Sequence, residues 1–426
     1  MNPLPLSQGT ALTERPVSRR LVLGGLTAAL LTAAGCGTSS STGSSSASSS
    51  ASSSASSSAT AVATGAAAAG SVAALAQAFY KSLTAEQQPT VLLDYSLANA
   101  ERWSNLPQGL LGGGAGGMPS GARTGTPPGG SGSGRPSGAG SGMPSGGPPG
   151  GGAGGGQSRV GLSIGDLSDD ALAAFTTLLK AATGSGSGTG YDEITQHLNA
   201  DDYLEANGGG DTYGRKNFYV ALLGSPADTG TWEFQFGGHH LAVANTYSDG
   251  KLAGATPSFR GIEPNGTFTQ AGTTNAPMKV KEAAFIALLA SLSTAQLAKA
   301  KLSDTFTDLV LAPGKEWAFP TAHDGVKVSD LSAAQKKLVT AAIAGYVNDI
   351  ADADAKTILA KYTAELDDTY VAYSGTTKLT ELNDYIRIDG PSVWIEYSSQ
   401  HGIVLSGNHP HSVWRDRSTD YGGTKN

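Results

Sequence analysis

Apolar residues recur at helical spacing over 71–83 and 167–182, and a further helix is predicted over 191–206. The same spacing returns over 279–302, 333–349 and 353–365. Three helix starts share one signature, a hydroxyl residue followed three positions later by glutamine: Thr84 with Gln87, Ser293 with Gln296 and Ser332 with Gln335. In each, the hydroxyl can accept from an otherwise orphaned amide while the glutamine reaches back to the cap. Between the helices the apolar period changes to two. The alternation predicts a strand over 217–223, a loop over 225–230, a second strand over 232–247, a turn at Ser248-Asp249-Gly250 and a return over 252–261. Shorter strands are predicted over 370–373, 385–388, 392–398 and 412–415. Runs of helices and hairpin-connected strands, without strict alternation of the two, predict an α+β fold: one large domain with a mostly antiparallel sheet and flanking helices.

The N-terminal stretch has a different character. Arg15, Arg19 and Arg20 precede an apolar run over 21–34 that is too short to span a membrane and ends in Ala33-Ala34-Gly35-Cys36. Residues 1–36 therefore read as an export signal, with a twin-arginine-like pair and a lipobox-like end in which Ala33 replaces the usual large aliphatic residue. Cys36 is the only cysteine, so no internal disulfide can form, and its position at the cleavage point predicts lipidation. An ordinary cleaved signal with a chance cysteine is the alternative. Residues 37–70, dominated by serine and alanine, read as a tether that cannot bury enough apolar surface to order itself. The folded domain is expected over 71–426, interrupted by a disordered Gly/Pro/Ser-rich insertion over 112–157. Gly112, Gly114 and Gly117 match a dinucleotide fingerprint by composition alone, because no strand precedes them and no helix follows. These features predict a protein of the bacterial cell envelope or surface, anchored in the membrane by lipid.

Charge narrows the partners. The chain carries a formal net charge of -7, and loss of the arginine-rich leader makes it more acidic still. An acidic chain without a basic stripe argues against nucleic acid and leaves a small-molecule ligand as the expected partner besides the membrane. No phosphate-binding Gly-x-x-x-x-Gly-Lys loop and no nucleophile elbow stand outside the low-complexity segments.

The main chemical signal is histidine. Four of the seven histidines fall in two short segments, Gly237-Gly238-His239-His240 and His409-Pro410-His411. In an extended chain His409 and His411 face the same way and could hold one metal ion together. His239 and His240 would face opposite ways unless the glycine pair makes a bulge that re-aims one ring. Imidazole is a ligand for divalent transition metals such as zinc, and three ligands with an open position suffice for catalysis. Glu396, in a strand-like run, is a fourth candidate ligand, and with Asp416, close to His411, it is also a candidate catalytic base. Arg415 could orient a ligand histidine, or pair with Glu396 to fix the last strand. The bland alternative is that the histidines pack on aromatic neighbours or sit in a solvated turn.

Several longer stretches carry a family resemblance. Asn217-Phe218-Tyr219-Val220, the run Trp232 through Leu241, Pro257-Ser258-Phe259 with Gly261, Glu263 and Pro264, Arg387-Ile388-Asp389-Gly390-Pro391 with Ile395-Glu396-Tyr397, and His409 through Asp416 with Asp420-Tyr421-Gly422 together resemble the domain of unknown function 3500 family. The resemblance runs from about residue 71 to the end and implies no accepted reaction. Its motifs add Arg415, Glu263, Arg387 and Tyr421 as candidate substrate-binding residues. Three functional readings follow: a surface-anchored metal-dependent hydrolase, a non-catalytic lipoprotein that binds a small ligand or a metal, and a structural envelope protein.

Overall fold

The computed structural model describes residues 67–107 and 159–424. The export signal, Cys36, nearly all of the tether and the 112–157 insertion lie outside the described residues. The helices follow the apolar spacing: α1 (Val72–Ser82), α2 (Gln88–Val91), α3 (Leu97–Ala100), α4 (Asp169–Ala182), α5 (Gly190–Leu204), α6 (Lys279–Ser291), α7 (Thr294–Ala300), α8 (Ala333–Val347) and α9 (Asp352–Ala364). Ser293 with Gln296 and Ser332 with Gln335 form reciprocal capping boxes, and the first divides the predicted 279–302 helix into α6 and α7. Thr84 and Gln87 make the same two hydrogen bonds, 3.2 and 3.3 Å, around the turn that leads into α2. Each such cap stabilises its helix by about 1 kcal/mol.

The strands are β1 (Leu92–Leu93), β2 (Leu162–Ser163), β3 (Tyr219–Leu223), β4 (Thr231–Gly238), β5 (Leu241–Ser248), β6 (Lys251–Gly254), β7 (Ser258–Gly261), β8 (Phe268–Gln270), β9 (Thr273–Asn275), β10 (Val326–Lys327), β11 (Tyr370–Ser374), β12 (Tyr385–Asp389), β13 (Val393–His401) and β14 (Asn408–Asp416). All but β8 and β9 join one sheet in the order β1-β3-β4-β5-β7-β14-β13-β12-β11-β10, with β2 on β3 and β6 on β5. Only the β1–β3 pairing is parallel among these ladders. Two expectations need correction. The predicted strand over 232–247 is a hairpin, β4 and β5, that turns at His239 and His240 between the paired Gly238 and Leu241. The last strand starts earlier than 412, because β14 takes in His409-Pro410-His411. Pro410 is tolerated there because the β7 ladder stops at His411, one residue short of it.

Side-chain alternation gives the sheet two unlike faces. One face is apolar and covered by helices: Leu222, Phe234 and Phe236 pack on Phe79 and Phe175 of α1 and α4, and Ile386, Ile388 and Ile395 pack on Phe285, Val339 and Ile343 of α6 and α8. A fully buried side chain of this kind contributes about 2 to 3 kcal/mol. The opposite face carries Gln235, Phe259, His411, Glu396 and Arg387, with Phe259, Val413, Glu396 and Arg387 paired in one row across it. Its cover is α3, which brings Leu97, and a set of irregular segments that bring Trp103, Leu309 and Trp317 against it.

With β2 taken as the end strand beside β3, and β1 and β6 set aside, the sheet order reads the same from both ends, and the halves correspond in detail. Gly161-Leu162-Ser163-Ile164-Gly165-Asp166-Leu167-Ser168 leads from β2 into α4 as Gly325-Val326-Lys327-Val328-Ser329-Asp330-Leu331-Ser332 leads from β10 into α8. The register of β2 on β3, Leu162 opposite Val220, matches that of β10 on β11, Val326 opposite Val371. Ile164 N–H donates to Phe218 O at 2.8 Å, and Val328 N–H donates to Thr369 O at 2.8 Å. The chain thus contains two copies of one helix-and-meander unit that meet at the β7–β14 pair. The β4–β5 turn in the first copy, His239-His240, corresponds to Pro391-Ser392 in the second. The second turn is closed structurally, with Glu365 accepting from Ser392 N–H at 3.1 Å and Ser392 Oγ at 2.8 Å.

Candidate metal centre

The centre is assembled where the β4–β5 turn of the first copy meets β14 of the second. His240 takes the left-handed backbone conformation, φ 61°, which costs a non-glycine residue about 1 kcal/mol or more. Two bonds hold it there: His240 N–H donates to Asn105 O at 3.2 Å, and His240 O accepts from Gly261 N–H at 2.8 Å. The glycine pair before the turn makes no bulge. Gly238 is required because a Cβ there would stand 2.5 Å from the Phe218 ring, and Gly261 leaves room for the His240 ring, which a Cβ would meet at 3.1 Å. The turn sends both histidine rings the same way. They stack with centroids 3.6 Å apart, in place of the opposite orientations expected of a continuous strand.

His240 faces the two histidines of β14. Its ring centroid lies 5.0 Å from that of His409 and 5.3 Å from that of His411, and the latter two are 4.9 Å apart. One nitrogen from each of His240, His409 and His411 can be chosen so that all lie within 4.8 Å of one another. His409 Nε2 and His411 Nε2 are only 3.2 Å apart. Two ligands bound at about 2.0 to 2.1 Å to one tetrahedral ion stand about 3.3 Å apart, so this pair is already at ligand separation. Burial and the neighbouring histidines hold His240 well below the usual imidazole range, and burial with His411 pushes His409 down to about 3. Both rings are therefore neutral near pH 7, the form that binds metal.

Two carboxylates absent from the sequence-derived candidates stand behind the histidines. Asp308 Oδ1 lies 3.0 Å from His411 Nδ1 and also accepts from Leu309 N–H at 2.7 Å. An Nδ1–H donated to Asp308 leaves Nε2 as the lone-pair nitrogen that faces His409. Asp201 Oδ1 lies 2.6 Å from His239 Nδ1, while its Oδ2 accepts from Gly214 N–H at 2.8 Å. His239, with Tyr213 edge-on at 5.0 Å, is thus a neighbour of the ligand set and stands outside it. Asp201 had one legible signal: Glu193, His197 and Asp201 recur every four residues on α5 and are all buried, a polar stripe on a core-facing helix.

A family model described as "Protein of unknown function (DUF3500)" matches residues 155–423. The chain belongs to this family. No curated protein and no solved structure matches it. The DUF3500 match takes in both copies of the repeat and the whole histidine group, and starts after α1 and α2, which the resemblance noted in the sequence had included.

The other candidate residues of this DUF3500 chain fall around the centre in different roles. Glu396 shares the histidine face, but both its oxygens are engaged. They accept from Val310 N–H (2.7 Å), Leu311 N–H (2.9 Å), Tyr385 Oη (2.7 Å) and Trp394 Nε1 (2.7 Å). Burial raises its pKa against the pull of these four donors. Its geometry pins the segment that carries Asp308. Asp416 points to the opposite, helix-covered face, since it is odd-numbered steps from His409 and His411 along β14. There it accepts from Tyr362 Oη at 2.7 Å and Lys361 Nζ at 3.0 Å. Arg415 does not pair with Glu396: it bonds Glu316 at 2.7 Å and Asp420 at 3.1 Å. Tyr421 joins that group, accepting from Trp103 Nε1 at 2.9 Å and donating to Glu316. Arg387 bonds Asp324 at 3.1 Å and lies over the Trp394 ring. Glu263 Oε1 accepts from Ile403, Val404 and Leu405 N–H at 3.0, 3.0 and 2.6 Å, and so caps the β13–β14 loop.

Proposed function

We propose that His240, His409 and His411 hold a divalent transition metal, zinc by the chemistry of an all-imidazole set, and that the protein is a metal-dependent hydrolase. The observation that carries this reading is that two of the three ligands also line a cleft open to solvent, of about 420 Å³. A structural metal site is closed by a fourth protein ligand, whereas three ligands beside a cleft that two of them line leave a position for water and substrate. A metal on neutral imidazoles supplies a Lewis acid and lowers the pKa of water. The chain's own contribution is to fix that geometry. Asp308 sets the tautomer and ring orientation of His411, Glu396 fixes the segment bearing Asp308, and Gly261 and Asn105 hold the strained His240 in place.

The reading is tested by elemental analysis of protein purified without chelator. Close to one first-row metal per chain is expected, with loss of that metal in His409→Ala and His411→Ala. Metal-loaded protein should then cleave members of an ester, amide and phosphate panel, and a loaded protein inert to all of them would favour the non-catalytic binding lipoprotein. We also propose export and lipid anchoring through Cys36, supported by the twin-arginine-like pair and the lipobox-like run before it. Cys36→Ser should release the protein into the soluble fraction of the expressing bacterium, and unchanged membrane retention would count against an anchor at this residue.

A further inference from the structure

Beyond its His409 and His411 floor, the cleft has a definite chemical character. Its walls are Leu382 and Ile403 with Thr307, Asn383, Gln400 and His401. No lysine, arginine, aspartate or glutamate lines it among the described residues. Five large apolar side chains are exposed among the described residues, and two of them, Leu382 and Ile403 at 37% and 64%, stand on this one rim. Ile403 is the most exposed of the five. Scattered exposed apolar side chains are ordinary, but a pair on one cleft beside a ligand cluster is a binding feature.

The apolar wall is built to stay in place. Glu263, itself buried, draws the amides of Ile403, Val404 and Leu405 onto one carboxylate oxygen, and Gly402 N–H closes the loop onto Gly407 O at 2.7 Å. A charged acceptor on three consecutive amides fixes the loop before any ligand arrives, which lowers the ordering cost of binding. Behind His411 stands a carboxylate and no cation: Asp308, 3.0 Å from its Nδ1, is 45% exposed. An anionic phosphate or carboxylate substrate would find no cation on the walls of the cleft.

Resting on the metal reading above, we propose that the cleft takes an uncharged substrate with an apolar arm, an ester or amide whose acyl or alkyl chain lies along Leu382 and Ile403 while its carbonyl faces His409 and His411. The walls offer no cation that would add to the metal's own charge in holding a phosphoryl or carboxylate group, so they favour an uncharged arm. The apolar arm supplies binding energy in proportion to its length until the rim is covered.

Cobalt-loaded protein provides the test, because the visible absorption of the ion reports ligands that reach it. Acetohydroxamate, hexanohydroxamate and inorganic phosphate are titrated separately. Hexanohydroxamate is expected to bind at least about tenfold tighter than acetohydroxamate. In Ile403→Asp, a substitution at an exposed position, that gain should fall to about twofold or less while acetohydroxamate binding is retained. Phosphate should bind more weakly than either. Equal binding of the two hydroxamates, failure of both to reach the ion, or tighter binding of phosphate would each overturn the assignment while leaving the metal centre standing. Failure to take up cobalt at all would remove the metal reading and this inference with it.

Discussion

His409 Nε2 and His411 Nε2 stand 3.2 Å apart on one face of β14, and His411 Nδ1 is committed to Asp308. If His411 Nδ1 carries its proton, the two facing nitrogens share at most the one proton that His409 can supply, in a site where burial opposes any second charge. A divalent ion satisfies both lone pairs at once. Metal binding should therefore stabilise the fold by about 3 kcal/mol at a free concentration one hundred times the dissociation constant. Thermal unfolding with and without added zinc checks this, and the shift should vanish in the His409→Ala, His411→Ala double variant.

Asp308→Asn removes the charge behind His411 and keeps the shape. Such a partner is typically worth about 10- to 100-fold in metal affinity. Competition with a chromogenic chelator should show a loss of that size, with the far-ultraviolet circular dichroism unchanged. Unaltered affinity would mean that Asp308 is a surface partner with no hold on the ligand.

Glu396→Gln should act through stability. Its carboxylate accepts from four donors, whereas a carboxamide offers one oxygen and turns its NH₂ toward two of them. Leaving buried donors without acceptors costs about 1 to 3 kcal/mol each. Urea denaturation should show a loss of several kcal/mol, accompanied by weaker metal binding as the 308–311 segment loosens. An unchanged midpoint with lost turnover would instead assign Glu396 a direct role as base.

Glu233 sets a pH dependence away from the metal centre. It is fully buried on β4, accepts from Gln235 Nε2 at 2.7 Å and Thr246 Oγ1 at 2.8 Å, and burial pushes its pKa up to about 7 against these two bonds. An acid whose folded pKa is raised binds its proton more tightly when folded. Its cost to stability is therefore absent below the ordinary value of 4.5, grows as pH rises, and is complete above about 7. The full deficit is about 3 kcal/mol. Glu233→Gln can still accept from Gln235 and bond the Thr246 hydroxyl, so it should match the wild type in mild acid and exceed it in mild alkali. Denaturant midpoints measured on both sides of neutrality test the sign.

Deleting residues 114–156 should leave the melting temperature nearly unchanged, because a Gly/Pro/Ser-rich run contributes no core. A large drop would show that this segment packs on the domain.

The sequence by itself determined the local features of this protein. Capping pairs placed the starts of α7 and α8, apolar periods placed the other long helices and most strands, and His-x-His at 409 and 411 implied two rings on one face once that stretch was extended. The repeat was also legible, in the match of Gly161 through Ser168 to Gly325 through Ser332, although periodicity alone did not reveal it. What the tertiary structure decided was every relation that crosses the sheet. Period-two alternation could not distinguish one strand over 232–247 from a hairpin turning at His239 and His240, because both alternate equally well. The hairpin is what carries His240 across β7 to His409 and His411, and that meeting depends on hydrogen-bond register between segments far apart in the chain. The same register puts Glu396 on the histidine face and Asp416 on the other. Asp308 and Asp201 reach their histidines from an irregular segment and from a helix, through contacts that follow from packing: Asp308 leaves no spacing in the sequence to read, and the four-residue stripe that contains Asp201 does not say which histidine it meets.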